Sequence, residues 1–378
     1  MIIEGIKLIN FRNYNNLSVL FNPNINIMIG RNAQGKTNLL EAIYICSTGR
    51  SFRTSRDREI IKFEKGEAYV GANLKVGELE KLTEIKLHRE KSKRIKVNKI
   101  ELKSYKELNT GLKVVVFSPE DLKLIKEGPN LRRSYLDSSI SQLKPLYYYN
   151  LNRYYKILIQ RNNLLKSIRY KSNLPDLIEV FDIQMARFGS LIILERESYI
   201  NRLLIEAKIN HNVITKNMEI LDIQYLRSIE DGKSLIEIET CFLKILKESI
   251  KKDIETGTTN NGPHRDDFAI SINGKDSKTY ASQGQQRSIV LTLKLSEVEM
   301  IKKDTGYNPI LLLDDVYSEL DEERRIHLTK LFSKMQTFIT LTDAVDIDGL
   351  DGYEKEFFYI NDGCIYSGKK TWREVNGR

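Results

Sequence analysis

Gly30-Arg31-Asn32-Ala33-Gln34-Gly35-Lys36-Thr37 sets one glycine, four free positions and then Gly-Lys-Thr. Glycines at that spacing let backbone N–H groups curl round an anion, and a helix opening at the lysine aims its positive dipole end at the same point. In this reading the backbone from Gly30 to Asn38 lines a row of phosphates. Lys36 reaches the β- and γ-phosphates, and the Thr37 hydroxyl ligates Mg²⁺. A bare match can be an accidental glycine turn, so context decides. Here the segment follows an alternating strand pattern, Ile25, Ile27 and Ile29, and opens a helical one from Asn38 to Cys46.

A second element supplies carboxylates. Pro309-Ile310-Leu311-Leu312-Leu313-Asp314-Asp315 is an apolar run ending in two acids. A buried strand delivers its last side chains to the C-terminal edge of a sheet, where open α/β sheets bind ligands. Asp314 would hold the Mg²⁺ shell, directly or through water, and Asp315 would orient the attacking water beside the γ-phosphate. Such a run is common and weak alone; beside the phosphate loop it points to ATP hydrolysis. A third element, Ser282-Gln283-Gly284-Gln285-Gln286-Arg287, precedes a helix. It offers a hydroxyl and free backbone N–H groups, again an anion site, although in isolation it is only a polar helix cap.

These residues need a sheet and helices to bring them together. Strand patterns run at the N-terminus and between about 67 and 117. There Ile85 to Arg89 and Arg94 to Asn98 alternate around a Glu90–Lys93 turn, and Leu112 to Phe117 reads as a buried strand. From about 130 to 255 the spacing turns helical. One stripe is Leu143, Tyr147, Leu151, Tyr154, Leu158 and Leu165; a second begins at Leu177 after a turn at Lys171–Pro175. Strand and helix then alternate: Phe268 to Ile272, a helix from Gln285, Ile310 to Leu313, a helix from Asp321, and Thr337 to Leu341. The expectation is an α/β ATPase lobe with a mixed sheet, made of residues 1–130 and 261–378, with a mostly helical lobe of residues 131–260 inserted.

Composition narrows the class. The 378 residues suffice for two lobes, and 41% hydrophobic with 29% charged is ordinary for a globular chain. No apolar run approaches the roughly 20 residues of a membrane span, and no signal peptide is evident. Three scattered cysteines, Cys46, Cys241 and Cys364, give no paired spacing for disulfides or zinc and fit a reducing cytoplasm. The net charge of +9 favours polyanionic partners. Lys86 to Lys106 carries nine basic residues against Glu90 and Glu101. On a hairpin, Arg89, Lys91, Lys93 and Arg94 would face a phosphate backbone, unless they merely solvate a strand. Arg50, Arg53, Arg56 and Arg58 follow the phosphate-loop helix and suit DNA, nucleotide or lobe contacts. No base-reading module is visible, so backbone and junction shape are the expected targets.

Seven segments in order now define a resemblance: Gly30–Ala42, Arg50–Arg56, Phe117–Leu122, Arg132–Asp137, Asn261–Asp267, Ser282–Arg287 and Ile310–Asp321. Together they resemble the ABC-type ATPases of DNA repair, most closely the RecF family, over nearly the whole chain. The resemblance implies an ATP-dependent head-to-tail homodimer with two composite sites. In it Ser282, Gly284 and Gln285 of one subunit close on the ATP of the other. Lys36, Asp315 and Ser282 carry slow, DNA-stimulated hydrolysis, and Ser318 and Asp321 belong to the loop that crosses the interface. His264 and Arg265 are expected near the nucleotide. The implied partners are double-stranded and gapped DNA, RecR and RecO, with RecA loaded indirectly, in the bacterial cytoplasm near the nucleoid.

Two departures stand out. Ile339-Thr340-Leu341-Thr342-Asp343 holds no histidine where relatives carry a γ-phosphate switch, and Asp315 replaces the usual Glu. Both argue against a transporter subunit of the same superfamily. A nuclease would need a further acidic metal-binding domain, for which no sequence is left. A DNA clamp without turnover differs from the first reading only in single-turnover hydrolysis. Helices of about 30 residues, roughly 45 Å long, are too short to act as the long arms of SMC-type ATPases.

Overall fold

The computed structural model describes residues 1–103, 110–168, 175–317, 321–343, 350 and 352–367. In chain order the elements begin with strands β1 (Ile2–Phe11), β2 (Tyr14–Leu20) and β3 (Ile25–Ile29), then helix α1 (Lys36–Thr48). Strands β4 (Glu67–Val76), β5 (Leu79–His88), β6 (Arg94–Val97), β7 (Ile100–Glu101) and β8 (Val114–Phe117) follow. Next come helices α2 (Lys123–Lys126), α3 (Pro129–Leu143), α4 (Pro145–Ile168) and α5 (Pro175–Ile214), then β9 (Leu221–Leu226), α6 (Leu235–Glu248) and α7 (Ile250–Thr256). Strands β10 (Asp267–Ile272) and β11 (Lys275–Asp276) precede α8 (Ser277–Tyr280) and α9 (Gln283–Thr305). The chain continues through β12 (Ile310–Asp314), α10 (Glu322–Phe332), β13 (Thr337–Leu341), β14 (Lys355–Asn361) and β15 (Cys364–Ser367). Two compact units result: Met1–Asp121 with Val290–Arg378, and Leu122–Ile289. Among the described residues no helix is long and apolar enough to cross a membrane.

The first unit holds two six-stranded sheets. One is antiparallel, in the order β2-β1-β4-β5-β6-β7; the other runs β15-β14-β3-β13-β12-β8 and is parallel except for the β14–β15 hairpin. Strands β3, β12 and β13 are buried at every residue, as expected of central strands covered on both faces. Because they are parallel neighbours, their C-terminal ends emerge at one edge. Helix α1 is buried along most of its length. Its Leu39, Leu40 and Ile43 share one cluster with Leu8 and Phe11 of the antiparallel sheet and Leu312 and Phe338 of the parallel one. Each such side chain contributes roughly 1.5–3 kcal/mol, so the phosphate-loop helix is anchored by its own apolar face. The expected basic hairpin is present as β5 and β6, with Ile85 opposite Ile95.

The second unit is helical around a small sheet. Helix α6 starts at a capping box between Ser234 and Glu237 and buries Ile238, Phe242 and Leu246 on one stripe. Arg161 is fully buried and donates to Asp182 (2.6 Å), Asp253 (2.7 Å) and Thr259 (2.8 Å). The 40 residues of α5 span about 60 Å and the 24 of α4 about 36 Å, so the two helices are less equal than their composition suggests. Leu143 closes α3 rather than joining the α4 stripe, because Lys144 and Pro145 separate the two helices. Of the expected turn at Lys171–Pro175, residues 171–174 lie outside the described residues.

The boundary placed at 260/261 moves to 289/290. The reason is β9, hidden in a helical stretch: it pairs with β10, Ile223 opposite Ile270, and draws the segment after Asn260 into the second unit. Ser282 and its neighbours therefore begin helix α9 in that unit, while the later part of α9 belongs to the first.

Candidate nucleotide site

The loop between β3 and α1 is tied down on all sides. A Cβ on Gly30 would stand 2.4 Å from the Ile360 carbonyl oxygen, so only glycine lets the chain pass β14 there. Gly35 has φ of +120° and would bring a Cβ against Asn13 and Tyr14. The Gly30 N–H donates to the Leu341 carbonyl (3.2 Å), and the Tyr14 hydroxyl donates to the Gly35 carbonyl (3.0 Å). The Gln34 carbonyl accepts from Asn13 Nδ2 (2.8 Å) and from the Gly363 N–H (3.1 Å). Lys36 Nζ donates to the Gly30 carbonyl (2.6 Å), closing the loop on itself.

Lys36 is buried, with Nζ 3.7 Å from Asp315 Oδ1. Burial holds its pKa below the ordinary lysine value, and the Asp315 carboxylate opposes that shift. Thr37 Oγ1 donates to Asp314 Oδ1 at 2.8 Å. Asp314 sits above the usual carboxylate range because it is buried; the Asp315 charge adds to this, while hydrogen bonds from Thr37 and Thr340 oppose it. Asp315 follows with φ of 51°, a left-handed conformation that turns the chain sharply at the strand end. Its N–H donates to Thr340 Oγ1 at 2.8 Å. Thr340 Oγ1 is also 3.1 Å from Asp314 Oδ1 and 3.3 Å from Asp315 Oδ1. Thr340 is thus the residue sequence reasoning left without a role: it lies on β13 opposite Asp314 and ties both carboxylates to the neighbouring strand.

These groups fit a magnesium ion. A hydroxyl and a carboxylate oxygen stand together, both hard donors, and a cation there would relieve the cost of burying Asp314. Substrate phosphates and water would complete the shell of such an ion.

The other expected residues divide. Arg31, Asn32 and Ala33 are exposed on the loop. Gln34 Oε1 accepts from the Asp362 N–H (2.6 Å), so its side chain braces the loop. Asn38 bonds Asn13 (2.8 Å) and accepts from Arg53 Nη1 (2.8 Å). Glu41, fully buried on α1, accepts two bonds from Arg12 (2.8 and 2.6 Å), one from Ser51, and lies 3.4 Å from Arg53. That cluster, which the motifs did not reveal, borders an open cavity of about 520 Å³ lined by Arg12, Asn13, Asn38, Arg58, Phe63 and Arg89 among others.

Of the basic residues assigned to DNA, Lys93 is half-buried and donates to the Gly49 carbonyl (2.8 Å) and Asp57 (3.1 Å). Arg89 donates to the Lys65 carbonyl (2.6 Å), and Arg56 pairs with Glu59. Lys91 and Arg94 are exposed. Lys106 and Ser318 lie outside the described residues; Asp321 caps α10, accepting from the Arg324 N–H at 3.0 Å.

In the second unit Ser282 is exposed at the start of α9. Its Oγ accepts from the Gln285 N–H (3.2 Å), and Gln285 Oε1 accepts from the Ser282 N–H (2.9 Å). Gly284 stands between them, half-buried. His264 is half-buried, 2.7 Å from the Tyr154 hydroxyl and 3.1 Å from the Thr259 carbonyl.

Comparison with known proteins now bears on this geometry. Residues 2–345 match the family model described as RecF/RecN/SMC N terminal domain. DNA replication and repair protein RecF of Clostridium novyi (strain NT) is 46% identical over 366 residues, covering 97% of this chain and 99% of that protein. Its counterpart in Alkaliphilus oremlandii (strain OhILAs) is 45% identical over 367 residues, covering 97% and 100%. A solved structure of the recombination mediator protein RecF-ATPrS in the RecFOR pathway matches with a TM-score of 0.90 at 40% identity, covering 97% of each chain. With the phosphate loop, the acidic strand end and this likeness over 97% of its length, the chain belongs to the RecF family of DNA replication and repair proteins and has the fold of an ABC-type ATPase head.

Proposed function

We propose that the chain is an ATP-dependent DNA-binding protein of recombinational repair whose subunits close head-to-tail on ATP. The observation that carries this is the convergence of Lys36, Thr37, Asp314 and Asp315 at one sheet edge, with Ser282, the serine of the signature segment Ser282–Arg287 at the start of α9, exposed in a separate unit. Lys36 neutralises the β- and γ-phosphates, its ammonium already held inside the loop. Thr37 and Asp314 hold Mg²⁺, which when bound withdraws charge from the phosphates. Asp315 orients the attacking water. Its carboxylate is one methylene shorter than the usual Glu, which favours a slow switch over a fast motor. Ser282, Gly284 and Gln285 complete the site of a second copy, so bound ATP joins the subunits. The dimer binds duplex or gapped DNA through phosphate contacts, and hydrolysis releases it. Acting with RecO and RecR, it promotes loading of RecA at single-strand gaps. The likeness to a RecF structure of the RecFOR pathway supports that placement.

The deciding measurement is molar mass in solution with and without ATP and Mg²⁺. The wild type doubles its mass with ATP, whereas Lys36→Met and Ser282→Arg do not. A wild type that stays monomeric with ATP and gapped DNA present overturns the dimer mechanism and leaves only the ATP site.

A further inference from the structure

The signature helix is held from behind by a residue that no motif contains. Glu219 lies in the turn between α5 and β9, and both sides of that turn are pinned. Lys216 and Asn217 take left-handed φ of 52° and 63°, with the Asn217 N–H bonded to the Asn212 carbonyl at 2.8 Å. On the other side the Ile220 N–H donates to Asn273 Oδ1, and the Asn273 N–H to the Ile220 carbonyl, both at 2.8 Å. The neighbours Met218 and Ile220 are 75% and 71% exposed, while the Glu219 side chain turns inward. Its Oε2 is 3.1 Å from Nε2 of His211, a fully buried residue of α5. Its Oε1 accepts from Gln285 Nε2 at 3.0 Å. A carboxylate only accepts, so His211 Nε2 carries the proton and donates.

Gln285 is therefore held at both ends of its amide. Nε2 goes to Glu219, and Oε1 takes the Ser282 N–H. In return Ser282 Oγ accepts the Gln285 N–H. A hydroxyl that accepts through a lone pair keeps its own proton for donation. Without Glu219 the Gln285 amide could rotate away, and the cap on the serine would loosen with it.

We infer that Glu219, seated against His211, is a positioning residue of the composite ATP site. It fixes Gln285 and through it the direction in which Ser282 offers its hydroxyl to the ATP held by a second copy of this chain. This rests on the composite-site reading above. The relay also joins the C-terminal end of α5 to the signature serine, so a displacement of that helix end reaches the serine through two side chains.

The test uses the full chain with ATP and Mg²⁺, comparing wild type, Glu219→Ala, Glu219→Gln and Ser282→Arg. Three quantities are read: the dimer dissociation constant from concentration-dependent mass, the affinity of dilute monomer for ATP, and the melting temperature. Glu219→Ala loses its bonds to both Gln285 and His211; loss of the bond to Gln285 weakens dimerisation about tenfold. Monomer affinity stays at the wild-type value, and melting temperature falls only by the cost of the lost His211 bond. Glu219→Gln restores dimerisation, since its carbonyl still accepts from Gln285 and its amide can donate to the other tautomer of His211. If Glu219→Ala dimerises like wild type while Ser282→Arg does not, the positioning role is overturned and the composite site stands. If Glu219→Ala lowers melting temperature and monomer affinity as much as dimerisation, the role is structural and the inference fails. If Ser282→Arg itself dimerises normally, the composite-site reading fails and takes the inference with it.

Discussion

The phosphate loop and the signature segment are both short polar turns at the N-terminal end of a helix, yet they are secured in opposite ways. The loop is bounded by buried strands and tied both by backbone groups of Leu341, Asp362 and Gly363 and by buried side chains of Tyr14 and Lys36. The signature turn is exposed and rests on side chains, a reciprocal cap and one amide-to-carboxylate bond. Backbone ladders in a buried sheet hardly move without unfolding; side-chain bonds at a surface break and reform. On the proposed reading, the half of the site that grips ATP is thus preorganised, and the half that reads it is adjustable. Binding and closure become separable events.

The largest expected effect separates grip from chemistry within the first unit. Asp315→Asn keeps the shape of the strand end but removes the carboxylate proposed to orient water. Single-turnover hydrolysis falls about 10²-fold, while ATP binding and ATP-driven dimerisation persist. Equal loss of binding and hydrolysis would merge the two functions that the comparison keeps apart.

Acid should act on the second unit. Burial lowers the His264 pKa from 6.5 to about 4, so between those values the unfolded chain binds a proton that the folded one refuses. The stability is fully present above pH 6.5 and is lost as pH falls toward 4, by about 2–3 kcal/mol. Chemical denaturation at pH 7 and pH 5, read on wild type and His264→Asn, checks this. The pH dependence of the variant is shallower; equal slopes would assign the effect to other groups.

The smallest effects come from touching each turn directly. Gly30→Ala forces a methyl onto the Ile360 carbonyl and costs about 1–3 kcal/mol of stability, because backbone must shift. Ser282→Ala removes only a cap, about 1 kcal/mol, and leaves monomer ATP affinity unchanged. Thermal melts and ATP titrations of the two variants would erase the contrast if both lost affinity alike.

What the sequence made legible was chemistry written in consecutive residues. Strand, glycine loop and helix from Ile25 to Thr48 could be read directly, as could the acids ending β12, because local spacing and chemistry share a cause there. Contacts between distant residues left no trace. Thr340 meets Asp314 only through the register of β12 and β13, and Gln34 meets Asp362 across 328 positions. Strand β9 is six residues long and finds its partner β10 beyond two intervening helices, so its alternation could not outweigh the helical stretch around it. The lobe boundary went astray for that reason. Arg89 and Lys93 show the same limit: their charges were visible, but not the carbonyls on which they are spent.

The place of β3 between β13 and β14 also sets an order of birth. During synthesis the phosphate loop leaves the ribosome roughly 300 residues before the strands that flank it, a separation that delays its closure. Helix α1 can meanwhile cover its apolar face with the antiparallel sheet, all of whose strands are made before residue 102. The bonds that Asp362 and Gly363 give to Gln34 come last. A chain cut short before them carries the glycine motif without those two braces. On the proposed reading, ATP meets a fully braced loop only once translation has run past residue 363.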